Sequence, residues 1–299
     1  GGICSSTMLV SLNDLIYEGN VSGSDTCGGI LGKIEGRATL IDNLRSSGTV
    51  QGQRSIGGIV GSAKSVDFAN ISSVADISTT GAVSVEDKKG IGGLFGEAKF
   101  GLSVKDSFYN GNINGYGHTG GLIGYADLVT LVNCHSAGTI TGTNFENGLK
   151  GGLIGKGYGS IDRCFSTMDI LNSNYSGGLV GGFKDNTDTK TIKNSYATGT
   201  AKAGLVYDAN RLRLENCYST VGCLSNAGLI KTISTASSAV STYWDSEVSG
   251  ASSSAKYNST DVGVSKTTSE MKNQATYVDW DFTNIWKIDP AQNNGYPTL

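Results

Sequence analysis

Apolar residues along this chain recur in short alternating runs and never in helical spacing. Val129-Thr130-Leu131 and Gly138-Thr139-Ile140 are typical, each bounded by Gly, Asn, Ser or Asp. Alternation between turn-forming residues predicts strands, because successive strand side chains point to opposite faces. No long window carries the apolar stripe of an amphipathic helix.

A repeated anchor organises these runs. Gly120-Gly121-Leu122-Ile123-Gly124 reads Gly-Gly, two aliphatics, Gly, and the same pattern starts at Gly28, Gly57, Gly92, Gly151 and Gly177. Weaker forms stand at Ala203-Gly204-Leu205-Val206 and Ala227-Gly228-Leu229-Ile230, and a truncated one at Gly1-Gly2-Ile3-Cys4. Successive starts lie 24 to 35 residues apart, the range of solenoid repeats, in which each unit buries its apolar face only against its neighbours. A second element recurs between anchors. Asn133 to Gly142 aligns with Asp14 to Gly23, Asn43 to Gly52 and Asp106 to Gly115, while Asn70, Arg163, Asn194 and Asn216 open shorter copies.

A unit of this length holds roughly three short strands with their turns. The expected fold is all-β: a right-handed parallel β-helix (β-solenoid) of about nine coils over residues 1–244, with a C-terminal capping segment over 245–299. At about 4.8 Å per coil the rod is roughly 40 Å long. A β-prism or β-roll would use the same repeats. In this picture the anchor glycines supply positive φ or close backbone approach, and one of the two aliphatics after them points inward. Asn43, Asn70, Asn133, Asn194 and Asn216 stack into an amide ladder that Arg163 interrupts.

Register assigns two further columns. Cys134, Cys164 and Cys217 share a position with Leu15, Leu44, Ile71, Ser107 and Ser195, so they are expected as buried, reduced thiols in the core. A disulfide between Cys4 and Cys27 is a further possibility. One residue later stand Ile16, Arg45, Ser72, Phe108, His135, Phe165, Tyr196, Tyr218 and Tyr243. Alternation sends this column outward, and Arg45 and His135 agree, since either is costly in an apolar core. From Phe108 to Tyr243 every coil then presents a ring, as stabilising stacking or as a binding strip. Phe108, His135, Phe165, Tyr196, Tyr218 and Tyr243 are therefore the candidate binding residues.

The pattern changes after Ser241. A Ser-rich stretch leads to Thr267-Thr268-Ser269-Glu270, which reads as a capping box opening a short helix to about Gln274. All three tryptophans and both prolines lie in this tail. Solenoid ends need an atypical cap over the last coil; the tryptophans serve that role or a sugar site. Ser84 to Gly90 and Asp185 to Lys190 read as protruding polar loops.

Glycine is abundant (44), proline rare (2), charge low (16%) and the net charge −3, with no Lys/Arg cluster. These features exclude collagen and argue against a nucleic-acid partner. No apolar run is long enough to span a membrane. The chain starts inside a repeat and is expected to derive from a longer protein.

The paired elements resemble the GLUG-motif repeats of large bacterial surface proteins, from residue 1 to about 244. The tail resembles the ending that follows such arrays: Tyr243-Trp244-Asp245, a Thr-rich lead to Glu270-Met271, Trp280-Asp281-Phe282 and Tyr296-Pro297. The resemblance implies a non-catalytic extracellular module at the bacterial cell surface, adhering to host glycan or extracellular protein, or serving as a stalk. A monomer is expected, with no cofactor and no metal site. The zinc-protease function of some proteins with such repeats does not transfer, because no HExxH occurs.

Parallel β-helices also carry polysaccharide lyases and hydrolases, the alternative reading. Such enzymes need convergent carboxylates, yet aligned repeats put no two acids at one register in neighbouring coils. Asp14 and Asp106 share a register but lie three coils apart. Two histidines exist: His118 is expected as an exposed turn residue and His135 as an outward strand residue.

Overall fold

The structure is a computed structural model. It describes all residues except 9–11, 37–39, 81–89, 143–147, 184–187 and 258–259. The Ser84 loop, apart from Gly90, and Asp185 to Asn186 and Thr187 of the second loop lie outside the described residues. The chain forms a parallel β-solenoid of about eight turns with almost no helix, and the sheet does not close into a barrel. The expected rod is therefore one turn shorter, because nine anchors bound eight intervals.

Register follows the repeat alignment residue for residue. Ile16 pairs Arg45, Arg45 pairs Ser72, and Ser72 pairs Phe108. His135, Phe165, Tyr196, Tyr218 and Tyr243 follow in order. The anchors form a second parallel ribbon from Cys27-Gly28 through Ile56-Gly57, Gly90–Gly92, His118–Gly120 and Lys150-Gly151 to Ser176-Gly177. Both apolar residues of every anchor from Gly28 onward are buried, Leu122 and Ile123 among them, whereas Ile3 of the truncated first one is exposed. The expectation of one inward side chain is corrected: the chain turns within the anchor, so both enter the core.

The anchor glycines serve close approach alone. A Cβ at Gly121 would lie 1.9 Å from the Gly152 carbonyl oxygen and 2.8 Å from the Ser136 side chain. Positive φ falls instead on the column that opens each second element: Asp14, Asn43, Asn70, Asp106, Asn133, Arg163, Asn194 and Asn216 all have φ between 46° and 58°. Asn and Asp tolerate this region best among residues with a side chain.

Their side chains correct the amide ladder. The amides of Asn43, Asn70, Asn133 and Asn194 donate to the carboxylates of Asp14, Asp42, Asp106 and Asp162 on the preceding coil. Only Asn216 to Asn194 is amide to amide, at 3.5 Å. Asp42 and Asp162 sit one residue before the column, which hid them from a register comparison.

The inward column holds Leu44, Ile71, Ser107, Cys134, Cys164, Ser195 and Cys217, all buried. All six cysteines are free, so no Cys4–Cys27 disulfide forms. Beside this column Ser46, Ser73, Ser136, Ser166 and Ser219 line the interior opposite the anchors. Ser136 Oγ donates to the Gly152 carbonyl at 2.6 Å. Trp244 occupies this register in the last full coil, and its indole N–H donates to the Ala251 carbonyl at 3.1 Å. It plugs the end of the core with Ala251 and Val262.

Coil stacking continues past residue 244, since Val264–Lys266 pairs onto Tyr243–Asp245. Two short helices follow, α1 (Ser246–Ser249) and α2 (Thr268–Met271). The capping box of Thr267 with Glu270 forms as expected, but α2 ends at Met271 and a 3-10 turn takes Gln274–Thr276.

Candidate functional site

Two residues beyond each αL corner, the outward column builds a stack of rings. Phe108, His135, Phe165, Tyr196 and Tyr218 lie nearly parallel, at interplanar angles of 6°, 1°, 2° and 6°. Ring centres are 5.2, 4.7, 4.9 and 4.9 Å apart. This is the rung spacing of a parallel sheet, so identical positions stack face against face. The faces are therefore consumed by neighbouring rings, and the edges look outward. The N-terminal neighbour of Phe108 is Ser72, which offers no ring.

The column is outward, as its register predicts, but only its N-terminal half meets solvent. Phe108 is 37% exposed, and His135 and Phe165 are half-buried. Tyr196, Tyr218 and Tyr243 are 3%, 0% and 7% exposed. The expectation of an exposed strip is corrected for these three. The tail from α2 onward does not sit over the end of the rod; it runs back along its flank. Met271, Tyr277, Trp280, Trp286 and Tyr296 bury themselves on the three tyrosines as a second core. Tyr218 Oη donates to the Pro297 carbonyl at 2.6 Å and accepts from the Asn293 amide at 2.6 Å. Tyr296 Oη donates to Asp245 at 2.7 Å, and the Trp280 indole N–H donates to the Ser241 carbonyl at 2.9 Å. Trp280 and Trp286 are thus packing residues, the first of the two roles weighed for them.

Where the tail ends, an open groove of about 590 Å³ remains beside the uncovered half of the stack. Lys105, Asp106, Asn133 and Arg163 form its solenoid wall; Asn284, Ile285 and Leu299 form the tail wall. Asp106, Asn133 and Arg163 each stand two residues before a ring of the open half. Asp106 accepts the Asn133 amide. Arg163 makes a loose ion pair with Asp162, at 3.6 Å, and is 46% exposed. Burial alone lowers the His135 pKa, so the imidazole in the stack favours its neutral form.

The other histidine contradicts its expected role. His118 is not an exposed turn residue: it begins a strand, is 4% exposed, and its Nδ1 accepts the Leu149 N–H at 3.2 Å. Burial, with a smaller contribution from the Lys156 charge, lowers its pKa to about 3. Next to that contact Lys150 is fully buried. Its ammonium donates to the Thr141 and Gly142 carbonyls, and burial lowers its pKa to about 8. Sequence reasoning missed Lys150, which follows the gap between one second element and the next anchor and carries no motif. Among the described residues no group of three or more metal-ligating side chains converges.

No protein-family model matches the chain. Over 203 residues it is 28% identical to halomucin of Haloquadratum walsbyi, spanning 62% of this chain and 2% of that protein. Over 126 residues it is 34% identical to the immunoglobulin A1 protease of Streptococcus pneumoniae, spanning 39% of this chain and 6% of that one. The chain thus spans only a small fraction of both relatives. A solved structure from Bacteroides ovatus, provisionally named an immunoglobulin A1 protease, aligns at a TM-score of 0.41 and 17% identity. That alignment covers 89% of this chain and 77% of the other.

Among the described residues Asp106 is the one side-chain carboxylate lining the groove, and it accepts the Asn133 amide.

Proposed function

We propose that this chain is a non-catalytic extracellular module of a surface or secreted protein. It recognises a host glycan or an extracellular protein through the open half of its ring stack. The observation that carries this reading is the junction of Phe108, His135 and Phe165 with the groove of Lys105, Asn133, Arg163 and Asn284. It combines apolar edges, amides and a planar guanidinium at one place, the groups that recognise hydroxylated or carboxylated ligands. The two relatives support a modular role, since the matched stretches are 2% and 6% of those proteins. Among the described residues no helix is long and apolar enough to cross a membrane.

The test is binding of the full chain to immobilised glycans and extracellular-matrix proteins, alone and as the double variant Phe108→Ser, His135→Ser. We expect at least a tenfold loss of binding with the solenoid still folded by circular dichroism. Unchanged binding by the double variant removes the reading. The name of the pneumococcal relative raises a protease alternative. Cleavage of immunoglobulin A1, or new reducing ends from a polysaccharide panel, at a reproducible rate would establish an enzyme instead.

A further inference from the structure

The larger cleft lies on the opposite side of the tail and is not part of the ring stack. It holds about 860 Å³ at the seam between the solenoid and the folded-back segment. Thr198 and Gly199 come from one coil, and Thr220 and Gly222 from the next. Thr268, Lys272, Asn293, Asn294 and Tyr296 close it from the tail. Neither part forms the cleft alone.

The geometry points to a binding site for a neutral oligosaccharide. Three threonines and two asparagines line the cavity, beside Gly199 and Gly222, whose N–H and carbonyl pair across the two coils, Gly222 donating to Gly199 at 2.8 Å. Only Val248, Pro290 and the Tyr296 ring are apolar. A peptide or lipid ligand needs apolar anchor pockets, as most small-molecule sites provide; a polyhydroxylated ligand needs many hydrogen-bonding groups instead. Among the described residues no carboxylate or imidazole lines the cavity.

Charge selects the neutral class. Lys272 places its ammonium 5.0 Å from the Tyr296 ring centre. The carboxylates of Asp245 and Glu247 stand just behind this wall, on Tyr296 Oη at 2.7 Å and on the Thr268 N–H at 2.8 Å. One cation is thus offset by two nearby acids, which disfavours an anionic ligand. The backbone supports a built wall. Asn293, Asn294 and Gly295 are consecutive left-handed residues, at φ of 46°, 54° and 85°. Two side-chain-bearing residues in this region are costly and persist where the surroundings enforce them. Here the Asn293 amide clamps the turn to Tyr218 and to the Pro297 carbonyl, at 2.6 and 2.8 Å. The consequence is that Asn294 is held exposed at the mouth.

The test uses maltotriose, cellotriose and chitotriose as neutral probes and trigalacturonate as the acidic one, read by saturation-transfer NMR on the full chain. At least one neutral trisaccharide is expected to bind. Asn294→Ala, an exposed position, and Thr220→Val, which keeps shape and removes the hydroxyl, should each weaken it at least fivefold. The probes are read on the Phe108→Ser, His135→Ser background, so that any binding through the ring stack is removed and what remains is binding at the cleft. Absence of binding by all three neutral probes, preference for trigalacturonate, or binding indifferent to both cleft variants overturns the inference. Loss of matrix or glycan binding through the ring stack alone would leave the proposed function standing and remove only this cleft.

Discussion

The hydroxyl of Tyr218 donates to the carbonyl of Pro297 at 2.6 Å, joining the solenoid wall to a residue near the end of the tail. That bond, with the Asn293 amide on the same oxygen, locks the tail onto its flank. Tyr218→Phe keeps the ring and removes both bonds. At about 1 kcal/mol net for each, docking should weaken by roughly 2 kcal/mol. Trp286→Ala removes buried aromatic volume and should cost roughly 3–5 kcal/mol. The predicted outcome is local: limited proteolysis clips the tail after residue 267 while far-ultraviolet circular dichroism of the rod persists. Loss of the whole β signal at once would show that the tail is not a separable lock.

Truncation separates the two jobs done beyond residue 244. Removing residues 267–299 bares Tyr196, Tyr218 and Tyr243 but leaves Trp244, Ala251 and Val262 closing the core end. This form should bind a hydrophobic dye yet stay monomeric in size-exclusion chromatography. Removing residues 245–299 also strips the last rung at Val264–Lys266 and leaves a bare strand edge, a template for pairing, so aggregation is expected. Equal solubility of the two forms would contradict the division.

His118 makes stability depend on pH with a definite sign. Its folded pKa is lowered to about 3 by burial, against roughly 6.5 when unfolded. Above about 6.5 both states are neutral and the contribution is fully present. As pH falls below that value the unfolded chain takes up a proton that the folded chain refuses. Stability then drops by about 1.4 kcal/mol per pH unit toward pH 3. His118→Gln should flatten this part of the profile between pH 6 and 4 relative to the parent, measured by urea midpoints at each pH. Parallel profiles would show that His118 is protonated in the folded state.

The thiols should divide by burial. Cys134, Cys164 and Cys217 are buried, and burial pushes the thiol of Cys164 well up and that of Cys217 to about 12. Thiolate is the reactive form, so native labelling at pH 8 should spare all three and modify Cys4 first, the half-exposed thiol of the first coil. Denatured protein should react at all six sites. Native labelling of Cys134 or Cys164 at the rate of Cys4 would place them outside the core.

Much of the solenoid was legible because a parallel sheet turns sequence register into spatial register. The anchor spacing puts Phe108, His135 and Phe165 on neighbouring rungs, and the sheet pairs those residues. The covering of Tyr196 to Tyr243 was not legible. Outward direction follows from strand alternation, but exposure depends on what docks there, and the tail carries no periodicity to reveal its path. His118 was misread for a related reason: a turn-like Tyr116-Gly117 neighbourhood hid a residue whose register partner, Gly90, belongs to the anchor ribbon. The asparagine partners were missed because Asp42 and Asp162 lie one position out of register.

Asn194 tests whether the corner column is chosen for backbone or for side chain. It sits at φ 46°, its amide donates to Asp162 at 3.0 Å, and its oxygen accepts from Asn216 at 3.5 Å. Asn194→Ala keeps a Cβ in the left-handed region, a strain of about 1 kcal/mol, and loses hydrogen bonding worth about 1 kcal/mol net. The sum is roughly 2 kcal/mol. Asn194→Gly removes the strain and loses the same bonds, with an added entropic cost below about 1 kcal/mol. The backbone reading therefore orders stability as Asn, then Gly, then Ala. If the side-chain ladder dominates instead, Gly and Ala fall together or Gly falls further. Urea midpoints of the three proteins decide, and a glycine variant less stable than the alanine one would reject left-handed geometry as the reason asparagine recurs at these corners.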